Sequence, residues 1–193
     1  MAYPATLLVL AGGRSRRMGR PKALLPVQGT TLVEWLVRRL EPSFQELLVA
    51  AGEAAQLPPG LRSRFVADRR PGTGPLAGIE AGLAVSKLPT MVAIACDMPH
   101  MTPATAQRLA AAAIGHHAAV PRFGARPEPA CAAYRRGALE AISAALDQGR
   151  RKASEVLGAI DVNWLDDLEP ALFTNLNTPD EYRAFLASIS KTR

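Results

Sequence analysis

Three features of this sequence predict an α/β protein built on a doubly wound, mostly parallel sheet with helices on both faces. Short apolar runs alternate with longer amphipathic ones along the whole chain. Several of the short runs are continuously apolar, the pattern of strands covered on both faces. Glycine and proline punctuate the places where a strand would pass into a helix. At 193 residues the chain suits one domain, spanning 1–193, with a single well-buried core.

The elements follow in order. "TLLVLA" (6–11), "ELLVAA" (46–51), "RFVA" (64–67), "MVAIAC" (91–96), "HAAVP" (117–121) and "PACAAY" (129–134) read as strands. Between and after them, 31–41 carries Leu32, Trp35, Leu36, Val37 and Leu40 at helical spacing, with Pro42 closing the segment. Residues 76–86 and 102–113 follow strands in the same way, and in the latter Thr102 suits the cap and Pro103 the first helical position. Helices over 136–148 and 178–189 complete the set, the last opening on Thr178, Pro179 and Glu181 as a capped start. Alternation of this kind builds βαβ units, hence a parallel sheet wound in both directions. The chain contains no internal repeat or low-complexity tract.

Composition narrows the function classes. The formal net charge of +6 and pI near 9.9 favour anionic partners. The two cysteines, Cys96 and Cys131, stand in no metal-ligand spacing and read as apolar side chains at strand ends in a reducing compartment. The apolar run at 5–11 is too short to span a membrane, so a soluble cytoplasmic protein is expected. His116 and His117 are adjacent and would point to opposite sides of an extended strand, which rules out a helical metal-ligand pair, and His100 stands alone. No GxSxG elbow occurs for a serine hydrolase. Aromatic residues make up 5% and none alternates with the basic segment, so a stacking surface for nucleic acid is not expected.

Chemistry concentrates just past the strands, where open α/β sheets bind their ligands. After the first strand comes "LAGGRSRRMGRPK", in which Gly12 and Gly13 let the backbone turn tightly toward an anion beneath Arg14, Arg16, Arg17, Arg20 and Lys22. The spacing fits neither a Walker A loop nor the GxGxxG fingerprint. After the third strand, Asp68 precedes "RRPGTGPLAG", a second glycine-rich turn with Gly72, Gly74 and Gly78 that opens a helix and offers it an anion site. After the fourth, "CDMP" sets Asp97 at a strand end, where a carboxylate can hold Mg²⁺ together with substrate phosphates. Cations, a carboxylate and glycine turns around one crevice are what a metal-complexed nucleoside triphosphate requires. A non-catalytic nucleotide or nucleic-acid binding module using the basic loop alone is the competing class.

With these residues in view, the chain resembles the molybdenum cofactor guanylyltransferase family, of the wider nucleotidyltransferase superfamily and its Rossmann-like α/β fold. The matching stretches are "LAGGRSRRMGRPKALLP" (10–26), "GPLAGI" (74–79), "CDMP" (96–99), "PEPACAAYR" (127–135) and "FTNLNTPDEY" (173–182). The resemblance implies a Mg²⁺-dependent transfer of GMP from GTP to molybdenum-bound molybdopterin, with release of pyrophosphate. It implies Leu10, Ala11, Gly12, Gly13, Lys22, Asp68 and Asp97 as nucleotide contacts, with Asp97 also the metal ligand. Lys22, Asp97 and Arg17 would be catalytic, and Arg17, Gly74, Arg151, Asn175 and Asn177 would face the pterin. Implied partners are proteins of molybdenum cofactor synthesis and apo-molybdoenzymes, with neither nucleic acid nor membrane. Two positions depart from the pattern. Pro21 precedes Lys22 where the family usually carries Asp, a form seen in cytidylyl-transferring relatives, so a cytidylyltransferase acting on molybdopterin or another phosphorylated acceptor is the alternative. The second strand ends on Ala50, Ala51 and Gly52 rather than an asparagine, and no nucleotide contact is assigned there.

Overall fold

The structure is a computed structural model that describes residues 1–12, 21–68, 70, 73–150 and 152–190. Its strands are β1 (Tyr3–Leu10), β2 (Pro26–Val27), β3 (Thr30–Thr31), β4 (Phe44–Ala51), β5 (Phe65–Ala67), β6 (Thr90–Ala95), β7 (Ala118–Phe123), β8 (Arg126–Pro127), β9 (Cys131–Arg135) and β10 (Val162–Leu165). Its helices are α1 (Leu32–Leu40), α2 (Pro75–Val85), α3 (Pro103–Ala112), α4 (Leu139–Asp147), α5 (Ala153–Leu157) and α6 (Pro179–Ser190). The main sheet has the order β10-β7-β9-β6-β1-β4-β5, with β8 added to β7. β1 pairs in parallel with β4 and β6, and β4 with β5. β9 runs antiparallel between β6 and β7, and β10 returns to parallel beside β7.

Alternation along β1 divides the core. Leu7 and Val9 pack with Val33, Leu36, Val37 and Leu40 of α1 and with Ala106 and Leu109 of α3. Leu8 and Leu10 face the other way, onto Leu76, Ile79 and Leu83 of α2 and Ile142 of α4. Because both faces are covered, β1 and β6 are almost wholly buried, which is why they read as unbroken apolar runs. A third cluster joins Leu25, Val27 and Leu32 to Leu176 and Phe185, so α6 docks against α1 and the β2–β3 hairpin. Trp35 meets Phe185 edge-on, with ring centroids 5.2 Å apart.

The helix starts follow their side-chain chemistry. Thr31 and Glu34 form a capping box at α1, and Thr102 accepts the Thr105 N–H ahead of Pro103 at α3. Three local expectations are corrected. Gly78 lies buried within α2, as the helix over 76–86 has it, and not in the glycine-rich turn that also counted it. The last predicted strand begins at Cys131, because the chain turns at 128–131 with the Cys131 N–H bonded to the Glu128 carbonyl at 3.2 Å. His116 and His117 precede β7, with His116 Nδ1 3.0 Å from Asp161 Oδ2 and His117 Nδ1 accepting the Asp161 N–H at 3.2 Å. Among the described residues no helix is long and apolar enough to cross a membrane.

Candidate active site

The carboxyl ends of β1, β4, β5 and β6 share one rim of the sheet, and backbone hydrogen bonds carry their order past the strands. Leu10 accepts from Cys96 N–H at 3.0 Å, Ala11 N–H donates to Ala50 at 2.8 Å, and Asp68 N–H donates to Ala51 at 3.0 Å. The first residues of the glycine loop, Ala11 and Gly12, and the carboxylates after β5 and β6 therefore start from fixed positions. Leu10 is buried, whereas Gly12 is exposed at the mouth.

Lys22 opens a 3-10 turn, Lys22–Leu24, whose Ala23 is buried under α1. Its ammonium lies 2.7 Å from Asp97 Oδ2 and 2.7 Å from Asn177 Oδ1. Three segments separated by 75 and 80 residues thus meet at one point. The side chains of Lys22 and Asp97 keep 17% and 20% of their surface exposed, enough for a ligand to reach them.

Asn177 is held there by the cap of α6. Glu181 accepts the N–H groups of Asn177 and Thr178 at 2.6 and 2.8 Å, and Thr178 Oγ1 accepts the Glu181 N–H at 3.2 Å. Those two backbone donors hold the Glu181 carboxyl below its ordinary value. The loop is also tied to the aspartate directly, since Leu176 N–H donates to the Asp97 carbonyl at 2.8 Å. Asn175, half-buried two residues earlier, takes no part in the bonds joining Lys22, Asp97 and Asn177.

Asp68 belongs to a different part of the rim. Its Oδ1 accepts the Arg70 N–H at 2.8 Å within its own loop. Arg70 then clamps that loop to two helices, with a fork onto Glu80 of α2 at 3.0 and 3.3 Å and Nη1 2.7 Å from Asp147 of α4. Gly74 caps α2 with φ +77°, a left-handed conformation that favours glycine, and Pro75 follows it. Further along α2, a Cβ on Gly78 would sit 2.8 Å from Leu10 Cδ2, and one on Gly82 would sit 2.7 Å from Leu8 Cδ2 and 2.8 Å from Met91 Sδ. These two glycines let α2 lie close against β1, so its N-terminal part stands beside the end of that strand.

The cysteines bear out their reading as apolar groups. Burial, then the Asp97 charge, pushes the Cys96 thiol up to about 12 although Lys22 pulls it down, and burial, then the Glu128 charge, raises the Cys131 thiol well above its ordinary value. Both are free and buried. Gly13, Arg14, Arg16, Arg17, Arg20, Gly72 and Arg151 lie outside the described residues.

One residue at the rim was not reached from sequence. Since β9 is antiparallel, its beginning lies where its neighbours end, and Glu128 stands just before it. Burial raises the Glu128 carboxyl above its ordinary value; the Arg126 charge lowers it, and Asp97 raises it further. A search confined to residues after strands overlooks it, and only the strand's direction could have drawn attention there.

The donor set suits a hard divalent ion. The Asp97 carboxylate and the Asn177 amide offer oxygen donors beside an open mouth, whereas the nearby Cys96 thiol is buried and its pKa raised. No group of three or more His, Cys, Asp or Glu among the described residues could enclose a metal. One carboxylate with substrate oxygens is instead a usual way to hold Mg²⁺.

Comparison with known proteins gives concordant findings. The model of the MobA-like NTP transferase domain matches residues 7–162. A probable molybdenum cofactor guanylyltransferase of Pelotomaculum thermopropionicum is 37% identical over 92% of this chain and 89% of its own length. A molybdenum cofactor guanylyltransferase of Pseudomonas aeruginosa is 36% identical over 92% of each. Among solved structures, molybdopterin-guanine dinucleotide biosynthesis protein A from Archaeoglobus fulgidus superposes with a TM-score of 0.82 at 31% identity, covering 96% of this chain and 99% of that one.

Proposed function

Since the chain belongs to the MobA-like NTP transferase family, we propose that it transfers GMP from GTP to molybdenum-bound molybdopterin and releases pyrophosphate, acting as one nucleotidyltransferase domain. The observation that carries this reading is the meeting of Lys22, Asp97 and Asn177, a cation and hard oxygen donors drawn from distant parts of the chain. The names of the relatives favour guanylyl over the cytidylyl transfer that Pro21 left open. Asp97 and Asp68 speak against a plain nucleic-acid binding module, because unscreened carboxylates repel phosphate.

In the proposed reaction Asp97, with Asn177 beside it, would hold Mg²⁺. That ion, when bound, offsets phosphate charge and aligns phosphate oxygens. Lys22, ion-paired with Asp97, would gain triphosphate oxygens as alternative partners and steady the charge that builds on the departing pyrophosphate. Backbone N–H groups at Gly12 and Gly13 and the basic side chains that follow would cradle the nucleotide, with Leu10 and Ala11 beside them and Asp68 as a further contact. Arg17, Gly74, Arg151, Asn175 and Asn177 are the residues we assign to the pterin.

No strong general base is needed. The attacking group is a phosphate monoester, whose second pKa of about 6 leaves it anionic at neutral pH. The barrier is then chiefly repulsion between anions, which cations and oriented donors reduce. This explains how the reaction can proceed at a rim with no histidine in the Lys22, Asp97 and Asn177 cluster.

Purified protein given GTP, Mg²⁺ and molybdenum-charged molybdopterin is expected to release pyrophosphate and form the guanine dinucleotide of the pterin. Release with CTP but not GTP would overturn the base assignment. Proteins of cofactor synthesis as donors of the pterin, and apo-molybdoenzymes as recipients, complete the proposal.

A further inference from the structure

Glu128 has no part in the nucleotide and metal assignments above, yet its setting is that of a ligand-binding group. The antiparallel register pairs Ile94 with Cys131, and Ala95 N–H continues it by donating to the Ala130 carbonyl at 2.9 Å. Both strands turn just beyond that point, at 95–98 and 128–131, and the Asp97 charge is felt at Glu128, so the two carboxylates stand near one another at one rim. The Glu128 side chain is half-buried, and among the described residues neither a hydrogen bond nor an ion pair engages its carboxylate. Carboxylates that give up water without a partner are disfavoured, so an empty acceptor there is an unmet demand for donors.

Sheet order says which substrate can meet it. Asp97 follows β6, and the nucleotide-side residues Leu10 to Gly12 and Asp68 follow β1 and β5, on one flank of β6. Glu128 precedes β9, on the opposite flank. A nucleotide seated over β1, with its phosphates at Asp97, leaves the β9 flank for the acceptor.

Resting on the transferase reading above, we propose that Glu128 is an acceptor-substrate contact whose carboxylate takes the paired N–H donors of the pterin's 2-amino-4-oxo edge. That edge offers a ring N–H and an exocyclic amine side by side, a geometry two carboxylate oxygens match in a fork. Guanine carries the same edge, so the test separates the two sources.

Glu128→Gln keeps the size of the side chain but turns an N–H₂ toward one of those donors. The KM for molybdopterin is expected to rise about 10- to 100-fold, as for loss of charge-assisted hydrogen bonds. The KM for GTP, the Mg²⁺ requirement and the melting temperature should stay near wild type. An unchanged acceptor KM overturns the assignment. A rise confined to the GTP KM transfers the contact to guanine and also overturns it. A higher Mg²⁺ requirement alone would make Glu128 a cation ligand, and a lower melting temperature with both KM values raised would make it structural; either result is equally fatal. If wild-type protein forms no product from GTP and molybdopterin, the transferase reading itself fails. Wild-type turnover with an indifferent variant sinks only the role of Glu128.

Discussion

Replacing Asp97 by Asn separates the electrostatic role of this carboxylate from its place in the fold. The amide is nearly the same shape and its oxygen can still accept from Lys22, which also retains Asn177 as a partner 2.7 Å away. What disappears is the negative charge. Lys22 is 17% exposed, so water and Asn177 can compensate part of the lost pairing, and the destabilisation should be about 1 kcal/mol. For a chain of this size that lowers the melting temperature by about 2–4 °C. The effect on turnover should be far larger, because the carboxylate that would hold the cation against the triphosphate is gone. Removal of one preorganised electrostatic element commonly lowers rate by about 10²–10³, or roughly 3–4 kcal/mol. Pyrophosphate release under varied Mg²⁺, with calorimetry on the same preparation, tests both halves. A variant within about tenfold of wild-type kcat/KM would remove Asp97 from the metal role. A melting temperature lowered by much more than the predicted few degrees would show that the pair chiefly supports the fold.

Other consequences follow from the same geometry. Gly82→Ala puts a Cβ 2.7 Å from Leu8 Cδ2 and 2.8 Å from Met91 Sδ; overpacking of about 1–3 kcal/mol should outweigh the gain of about 1 kcal/mol in helix propensity, and a raised melting temperature would refute the close approach of α2 to β1. Arg70→Ala frees the Asp68 loop from α2 and α4, and should raise the GTP KM by about tenfold, short of the hundredfold that a displaced reacting group can lose, with kcat little changed; an unaffected GTP KM would mean the clamp does not serve the nucleotide. The Glu181 carboxyl is held below its ordinary 4.5 by the Asn177 and Thr178 N–H groups, so its stabilisation is complete above that pH and is lost as pH falls through the lower folded value. Melting temperature should therefore drop on acidification below pH 4.5 less steeply in Glu181→Gln than in wild type, and identical acid profiles would show that the cap does not tie down Asn177.

Sequence legibility followed the type of signal each element carries. Strands β1, β4 and β6 were legible because burial on both faces leaves an unbroken apolar run in each, at 7–10, 47–51 and 91–95. β10 was not: VNWL places Asn163 and a half-buried Trp164 on an edge strand that pairs on one side only, so neither a continuous apolar run nor clean alternation marks it. The two-residue strands β2 and β3 depend on a hairpin with positive φ at Gln28 and Gly29, too local for periodicity to register. Gly78 was read as turn punctuation because glycine is common in loops, whereas its position reflects contact between α2 and Leu10, a tertiary constraint that no window of sequence contains.

The same distinction governs the site. Asp97 was found because it follows a strand, and its pairing with Lys22 agrees with a crevice predicted from two strand ends. Asn177 entered through family resemblance, since nothing in its own neighbourhood says that a capping box at α6 would carry its amide oxygen to a lysine 155 residues away. Glu128 required the direction of β9. An α/β sheet with one reversed strand presents the residues before that strand at the rim where its neighbours present the residues after them. A search for ligand contacts in such folds should therefore follow the rim rather than the order of the chain, and here the rim sets the Glu128 carboxylate on the flank of β6 opposite β1.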